Sequence, residues 1–294
     1  MIRTAFVTDS GTGFSEEYWA SRGIYSVPLQ LECDGKTYED YETCHPADVV
    51  RVLQEKKLLK TSLPSLGRVE SLFDKLKEEG YERVFAVPIC PGLSGTMNAM
   101  SLAAENAGLE FVGFDCGTTA VLQAWCIETA KRMYEQEGKS IEEILEFLEK
   151  SARGADTILL VDDLQHMKRG GRLTSTAALL GSLLKIKPVL HDNLETEGRV
   201  DVLDKVRTMS KAQNLVIERM KSLGAGPGWD VTVAHVDAPE AAQQYARKIK
   251  EAIPGITLRI INLVSAVAVH TGIGCLAAQL FDPQGTPVDY SVIE

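Results

Sequence analysis

Ser94 lies in the turn 92–95, where a predicted buried strand (84–89) is followed by a helix that begins at Thr96. The first backbone N–H groups of a helix lack partners within the helix, and the helix dipole is positive at that end. Both features favour an anion, and the serine hydroxyl adds a hydrogen-bond donor. Ser94 and the adjacent Gly95 are therefore predicted to hold an anionic group.

His270 is the histidine best placed to face such an anion. It follows the apolar run 266–269, which predicts a strand, and it precedes the glycine-rich turn 271–274. An imidazole at that point can bind an anion, although a histidine at a strand end more often has a structural role. A further helix is predicted over 275–280.

Metal, phosphate and acyl-transfer chemistry have weaker support. None of the five histidines is spaced for a zinc site, so no metal is expected. The sequence DSGTG at 9–13 superficially matches a phosphate loop of ATPases, but no second loop of that kind follows, and an ATP-dependent phosphotransferase is kept as an alternative. A Ser94-dependent acyl hydrolase is the other alternative, because GLSGT is close to a nucleophile elbow, yet no orienting acid is identified. No catalytic residue is assigned.

The composition is that of a globular protein with an acidic surface. The chain has 294 residues and a net charge of −10, which disfavours nucleic acid as a partner because phosphate binding needs a basic surface. Its six cysteines include no CxxC pair, which indicates reduced thiols and a cytoplasmic protein. No apolar run is long enough to span a bilayer.

Predicted strands and helices alternate along the chain, and this pattern predicts an α/β fold. The pattern restarts after Gly154, which suggests two α/β domains, 1–156 with a parallel sheet and 157–294. Sites in such sheets lie at the carboxyl ends of the strands. A strand over 25–32 and a polar loop over 60–67 are also expected.

One basic stretch, 166–188, contrasts with the acidic chain. It contains no acidic residue and five basic ones, Lys168, Arg169, Arg172, Lys185 and Lys187. Between them, 174–184 is apolar and predicts a helix. Such a segment is suited to a lid or to docking on an anionic surface, for example a bilayer.

Several ordered motifs resemble the DegV family, which includes bacterial fatty-acid-binding FakB subunits. The resemblance covers nearly the whole chain. It is carried by FVTDSGTGFS near the start, KTSLPS at 60–65, GLSGT at 92–96, the block 164–190, KVRT at 205–208 and VHTGIG at 269–274.

The resemblance implies two α/β domains with a long-chain fatty acid buried between them. Its carboxylate would be held by Thr61 or Ser62, by Ser94 with Gly95, and by His270. The protein would then be a non-catalytic carrier, without a cofactor, that presents the fatty acid to a separate fatty acid kinase for conversion to an acyl-phosphate. A lipid sensor without a kinase is a further possibility.

The resemblance also suggests a docking role for basic residues. Arg207 matches a family arginine associated with handling the bound acid or its partner. Together with Lys168, Arg169 and Arg172, it is expected to face the kinase or to make transient contact with a membrane surface. The predicted helix 174–184 would gate the acyl tunnel.

Overall fold

The computed structural model describes residues 2–179, 186–288 and 290. These residues form thirteen strands and eleven α-helices, so the predicted α/β class is confirmed. The strands are β1 (Thr4–Asp9), β2 (Tyr25–Val27), β3 (Gln30–Cys33), β4 (Lys36–Glu39), β5 (Leu59–Ser62), β6 (Arg83–Val87), β7 (Glu110–Gly113), β8 (Asp156–Leu160), β9 (Lys187–Asp192), β10 (Asp201–Val206), β11 (Asp230–His235), β12 (Thr257–Asn262) and β13 (Leu276–Phe281). The helices are α1 (Glu16–Ala20), α2 (Pro46–Gln54), α3 (Leu66–Glu78), α4 (Thr96–Ala107), α5 (Ala120–Glu135), α6 (Ile141–Gly154), α7 (Leu164–Arg169), α8 (Ser175–Ala178), α9 (Met209–Ser222), α10 (Pro239–Ala252) and α11 (Ser265–Thr271).

The first sheet is parallel and joins four strands in the order β2-β1-β6-β7. Its central strands, β1 and β6, are almost entirely buried, which explains their apolar runs 5–7 and 84–87. Because parallel strands end at a common edge, the loops after β1, β6 and β7 lie together. This edge carries Ser94.

The second sheet joins six strands in the order β10-β9-β8-β13-β11-β12. Only the pairing of β11 with β12 is parallel, and the other four are antiparallel. The alternation of strands and helices predicted mostly parallel pairing, which this sheet does not have. Its strands β8 and β13 are buried on both faces. Such strands do not alternate between buried apolar and exposed polar residues, so their sequences do not reveal their direction.

Two predictions around His270 are wrong. The run 266–269 belongs to α11 rather than to a strand, and 275–280 forms most of β13 rather than a helix. Short apolar runs that are buried on all sides have no periodicity that separates helix from strand. His270 therefore lies in the last turn of a helix, and the turn after it leads into the centre of the second sheet.

A third sheet of three strands, β4-β3-β5, lies near the start of the chain. The hairpin turn is at Asp34 and Gly35, whose φ angles of 51° and 74° are those of a left-handed two-residue turn. The predicted strand 25–32 is split at Pro28 into β2 and β3, which belong to different sheets. The predicted loop 60–67 is wrong for its first residues, since β5 ends at Ser62.

Part of the predicted helix 174–184 corresponds to α8, and Leu180–Leu184 lies outside the described residues. The predicted boundary between 1–156 and 157–294 falls inside β8 and stays a prediction. In the part of the chain covered by the structure, no helix combines the length and apolar character needed to cross a bilayer.

Helix α5 connects the first two sheets. It contacts β1 and β6 on one side and β13 on the other. Trp125 packs on Phe281 of β13 with a ring-centroid distance of 5.3 Å, and the backbone N–H of Leu122 donates to Oε1 of Gln279 at 2.9 Å. The relative position of the two sheets therefore depends on this helix.

Replacing Leu122, which is 0% exposed, tests that dependence. Leu122→Ala is expected to lower the free energy of unfolding by about 2–5 kcal/mol, since it removes buried methyl groups and leaves a cavity. The matched control is Leu102→Ala on α4, where the side chain is 57% exposed and the expected loss is below about 0.5 kcal/mol. Urea unfolding measures both free energies, and equal losses in the two variants would contradict the dependence of the two sheets on α5.

Candidate functional site

A buried carboxyl at the end of β1 organises the loops at the edge of the first sheet. Asp9 accepts hydrogen bonds from the backbone N–H groups of Gly11 and Ile89 and from Nε2 of Gln123, each at 2.9 Å. Burial raises the pKa of Asp9 to about 6, although these hydrogen bonds oppose the rise. Asp9 thus ties β1 to the loop after β6 and to α5.

The turn 194–199 holds the loop before α4 from its other side. Gly92 approaches this turn so closely that a Cβ atom would lie 2.3 Å from the carbonyl oxygen of Glu197. Only glycine fits there, and the loop backbone is consequently fixed between the two sheets. The Oγ of Ser94 lies 2.8 Å from Oγ1 of Thr96.

His270 meets Thr61 across the site. The Nε2 of His270 and the Oγ1 of Thr61 are 2.6 Å apart. Burial, followed by the positive charge of Arg172 and the proximity of His166, lowers the pKa of His270 to about 3. The imidazole is therefore neutral near pH 7. A Cβ atom on Gly170 would lie 2.2 Å from Nδ1, so the ring packs directly against a glycine.

Arg172 completes this group. Its Nε donates to the carbonyl oxygen of Leu93 at 3.3 Å, and its Nη1 donates to that of Gly170 at 2.5 Å. Burial lowers its pKa, but an arginine stays charged. Among the described residues, no carboxylate lies within ion-pair distance of Arg172. The sequence placed Arg172 on a docking surface, whereas the structure places it in a cavity wall.

A cavity opens beside these residues, with about 880 Å³ of space when the open volume at its mouth is included. Its wall is formed by strands of the second sheet, by β5 of the third sheet, and by loops that follow strands of the first sheet. The lining is mainly apolar and includes Leu29, Ile89, Leu159, Ile261, Leu263 and Val267. Its polar lining includes Thr61, Ser62, Ser94, Arg172 and His270.

The other predicted anion ligands are less central. Ser62 lines the cavity, but it is exposed and donates to Oε1 of Gln30 at 3.2 Å. Gly95 precedes the first turn of α4, is exposed, and is not among the lining residues. The structure therefore brings Thr61, Ser94 and His270 to the cavity wall, with Ser62 nearer to solvent.

The remaining basic residues of the docking prediction lie at the surface. Arg169 and Arg207 are exposed and Lys168 is half-buried. Within 2–179, 186–288 and 290, none of the three side chains forms a hydrogen bond or an ion pair. Lys187 differs, because its Nζ contacts Oδ1 of Asp162 at 2.7 Å.

The sequence analysis missed a second polar group in the cavity wall. It consists of Thr157, Asp192, Thr232 and Gln279, all on the second sheet. The available signal was a glutamine inside the apolar run LAAQLF of β13. In the residues that the structure covers, no group of three or more His, Cys, Asp or Glu is arranged to hold a metal ion.

The cavity wall is mainly apolar, with a cation and hydroxyl groups at one part of it, which is the chemistry of a small-molecule binding protein. The chain itself belongs to the DegV family. The model of this family of uncharacterised proteins matches residues 3–282. The predicted family is thereby confirmed.

Relatives in the same family have similar lengths. A DegV domain-containing protein of Listeria innocua is 31% identical, covering 93% of this chain and 96% of the relative. One from Streptomyces coelicolor is 30% identical, covering 92% and 96%.

Solved structures of the family have the same fold. The DegV protein of Bacillus subtilis, described as a fatty acid binding protein, has a TM-score of 0.83 at 26% identity and covers 96% of this chain and 100% of its own. A fatty acid binding DegV family protein of Streptococcus agalactiae also has a TM-score of 0.83, at 28% identity, with coverages of 96% and 99%.

The contact between Gly170 and His270 leads to a prediction about protonation. In the native protein the ring signals of His270 are expected to stay constant between pH 8 and 5, since its pKa is about 3. In Gly170→Ala the new methyl group displaces the ring towards solvent, so its pKa is expected to rise towards the ordinary value of about 6.5. NMR titration of the histidine rings measures this.

The control is Gly67→Ala, because a Cβ atom at Gly67 has no neighbour within 4 Å. His270 should remain without a titration step in this variant. A His270 ring that does not titrate in Gly170→Ala either would contradict the proposed steric role of Gly170.

Proposed function

We propose that the protein binds one long-chain fatty acid in the cavity and presents its carboxylate to a separate ATP-dependent fatty acid kinase, which forms the acyl-phosphate. The protein is then a carrier whose residues bind and orient the acid. The observation that carries the proposal is Arg172, a partly buried cation in an apolar cavity without a carboxylate partner in the described part of the chain.

The fatty acid carboxylate supplies the negative charge that pairs with the Arg172 guanidinium. A charge-assisted hydrogen bond to a guanidinium is about twice as strong as a neutral one. Ser94 adds a hydroxyl donor, and when Nε2 of the neutral His270 carries the proton it donates to Oγ1 of Thr61, which leaves the Thr61 hydroxyl free to donate to the carboxylate. Together these groups satisfy a carboxylate without a metal ion or a nucleophile.

The apolar wall accounts for the acyl chain. Burial of one CH₂ group contributes roughly 0.8 kcal/mol, so a chain of about sixteen carbons supplies on the order of 10 kcal/mol before the costs of association. The fatty acid binding proteins of B. subtilis and S. agalactiae share the fold over nearly the whole chain. Their described ligand supports the same class of ligand here.

Delivery to a kinase is supported by three basic residues at the protein surface. Lys168, Arg169 and Arg207 lack partners within the described residues, in a chain whose net charge is −10. Lys168 and Arg169 are in α7, which precedes Gly170 and Arg172, so this basic surface adjoins the carboxylate site. We infer that it docks the kinase and makes transient contact with an anionic membrane surface.

The contacts of the two candidate catalytic residues favour binding over catalysis. The hydroxyl of Ser94 pairs with Thr96, while His270 pairs with Thr61. A Ser-dependent hydrolase needs the serine and its base in mutual contact. Asp9 is fully buried and accepts its hydrogen bonds from the protein's own backbone and from Gln123. This disfavours a role in binding ATP.

Replacement of Arg172 tests the carboxylate site. Arg172→Gln is expected to weaken palmitate binding at least tenfold in calorimetry with delipidated protein, because a partly buried charge pair is lost. Ser94→Ala and His270→Ala should weaken it by smaller factors. The matched control is Arg247→Gln on the exposed face of α10, which should bind palmitate as the native protein does. Native affinity in Arg172→Gln, Ser94→Ala and His270→Ala would overturn the carboxylate site.

A second experiment tests delivery and the enzymatic alternatives. With a purified fatty acid kinase and ATP, acyl-phosphate formation should require this protein, and Arg207→Ala should slow it while palmitate affinity stays the same. An acyl-phosphate rate in Arg207→Ala equal to that of the native protein would contradict the docking role. The protein alone is also incubated with an acyl ester, or with ATP and a fatty acid. If it turns either over, and Ser94→Ala or Asp9→Asn abolishes that turnover, the protein is an enzyme and not a carrier.

A further inference from the structure

The cavity wall on the second sheet changes from apolar to polar within two residues. Residues that pair directly across neighbouring strands form rows, and side chains two positions apart share a face. One row is apolar: Leu190, Leu159, Ala277, Ala234 and Ile261. The next row on the same face is polar: Asp192, Thr157, Gln279, Thr232 and Arg259. Four residues of each row line the cavity.

Hydrogen bonds within the polar row lead to one carboxyl group. Nε2 of Gln279 donates to Oγ1 of Thr157 at 2.9 Å, and Oγ1 of Thr118 donates to Oδ2 of Asp192 at 2.7 Å. The two threonine oxygens are 2.7 Å apart. Since the proton of Thr118 is directed at Asp192, the hydroxyl of Thr157 donates to Thr118. The chain of donors therefore ends at Asp192.

The second carboxyl oxygen of Asp192, Oδ1, has no hydrogen-bond donor among the described residues. Asp192 is only 3% exposed and lines the cavity. Burial raises the pKa of Asp192 to about 7, so above about pH 8 the group is ionised and Oδ1 needs a hydrogen-bond donor. A group in the cavity that donates a hydrogen bond would meet that need.

The polar row lies further along β13 than the end of the strand that follows His270 in the chain. His270 lies just before β13, and Gln279 is the fourth residue of that strand, roughly 10 Å beyond Leu276 at about 3.4 Å per residue. An extended chain advances roughly 1.2 Å per bond. An acyl chain that extends along β13 from the level of Leu276 would meet the row about eight bonds further on, in its distal half.

We propose that the cavity selects long-chain fatty acids with a hydroxyl group in the distal half of the chain, which donates a hydrogen bond to Oδ1 of Asp192. The proposal rests on the proposed function and names the class of fatty acid. An unsubstituted chain places methylene groups against Asp192 and leaves Oδ1 without a donor. A hydroxyl group suits the site because it is neutral, whereas an ammonium group would lose its hydration among apolar side chains.

The test compares ligands on the native, delipidated protein. Calorimetry measures the Kd of stearate, 3-hydroxystearate, 10-hydroxystearate and 12-hydroxystearate. At pH 8.5, above the raised pKa of Asp192, at least one of the two distal hydroxy acids is expected to bind about tenfold more tightly than stearate, because the acceptor is then charged. The control is 3-hydroxystearate, which carries the same group near the carboxylate and should gain nothing.

Asp192→Leu then assigns the preference to this residue. In this variant, the ratio of the Kd of stearate to the Kd of the distal hydroxystearate should fall to about one. The inference would be overturned if native protein bound stearate at least as tightly as both distal hydroxy acids, and this result needs no variant that might misfold. Failure of all four acids to bind would instead overturn the proposed function itself.

Discussion

A guanidinium in the wall of an apolar cavity is unfavourable unless a negative charge pairs with it. Arg172 is held in that position by the carbonyl oxygens of Leu93 and Gly170, two neutral acceptors that orient the group without balancing its charge. The same positive charge, together with burial, keeps His270 neutral. In the proposed complex the fatty acid carboxylate balances the charge, so the requirement of Arg172 for an anion determines which end of the ligand lies there.

The scaffold keeps this group in place through close backbone contacts. Gly92 fits against the turn 194–199, and Gly170 fits against the ring of His270. Asp9 fixes Ile89 from the side of the first sheet. These contacts join parts of the chain that are far apart in sequence. The site can therefore form only when the two larger sheets have assembled around α5.

Local motifs selected Ser94, His270 and Thr61 as candidate ligands, but the contacts between them join distant parts of the chain. The strand, loop and helix around Ser94 were predictable because glycines and a helix start leave a clear pattern. His270 was selected by its position before a glycine-rich turn. The prediction nevertheless gave a strand where α11 lies and a helix where β13 lies. Arg172 was assigned to the surface because charge alone does not show which way a side chain points. Asp192 was missed because its role depends on cross-strand pairing with Thr157, which no local pattern shows.

The most direct test of the central claim is the ionisation of the bound fatty acid. Palmitate labelled with ¹³C at the carboxyl carbon is bound to the protein and followed by NMR as the pH is lowered. A carboxylate paired with Arg172 should remain ionised well below the ordinary carboxyl pKa of about 4.3, and in Arg172→Gln its titration should move to higher pH. A bound carboxyl group that titrates at or above the ordinary value in the native protein would contradict the account.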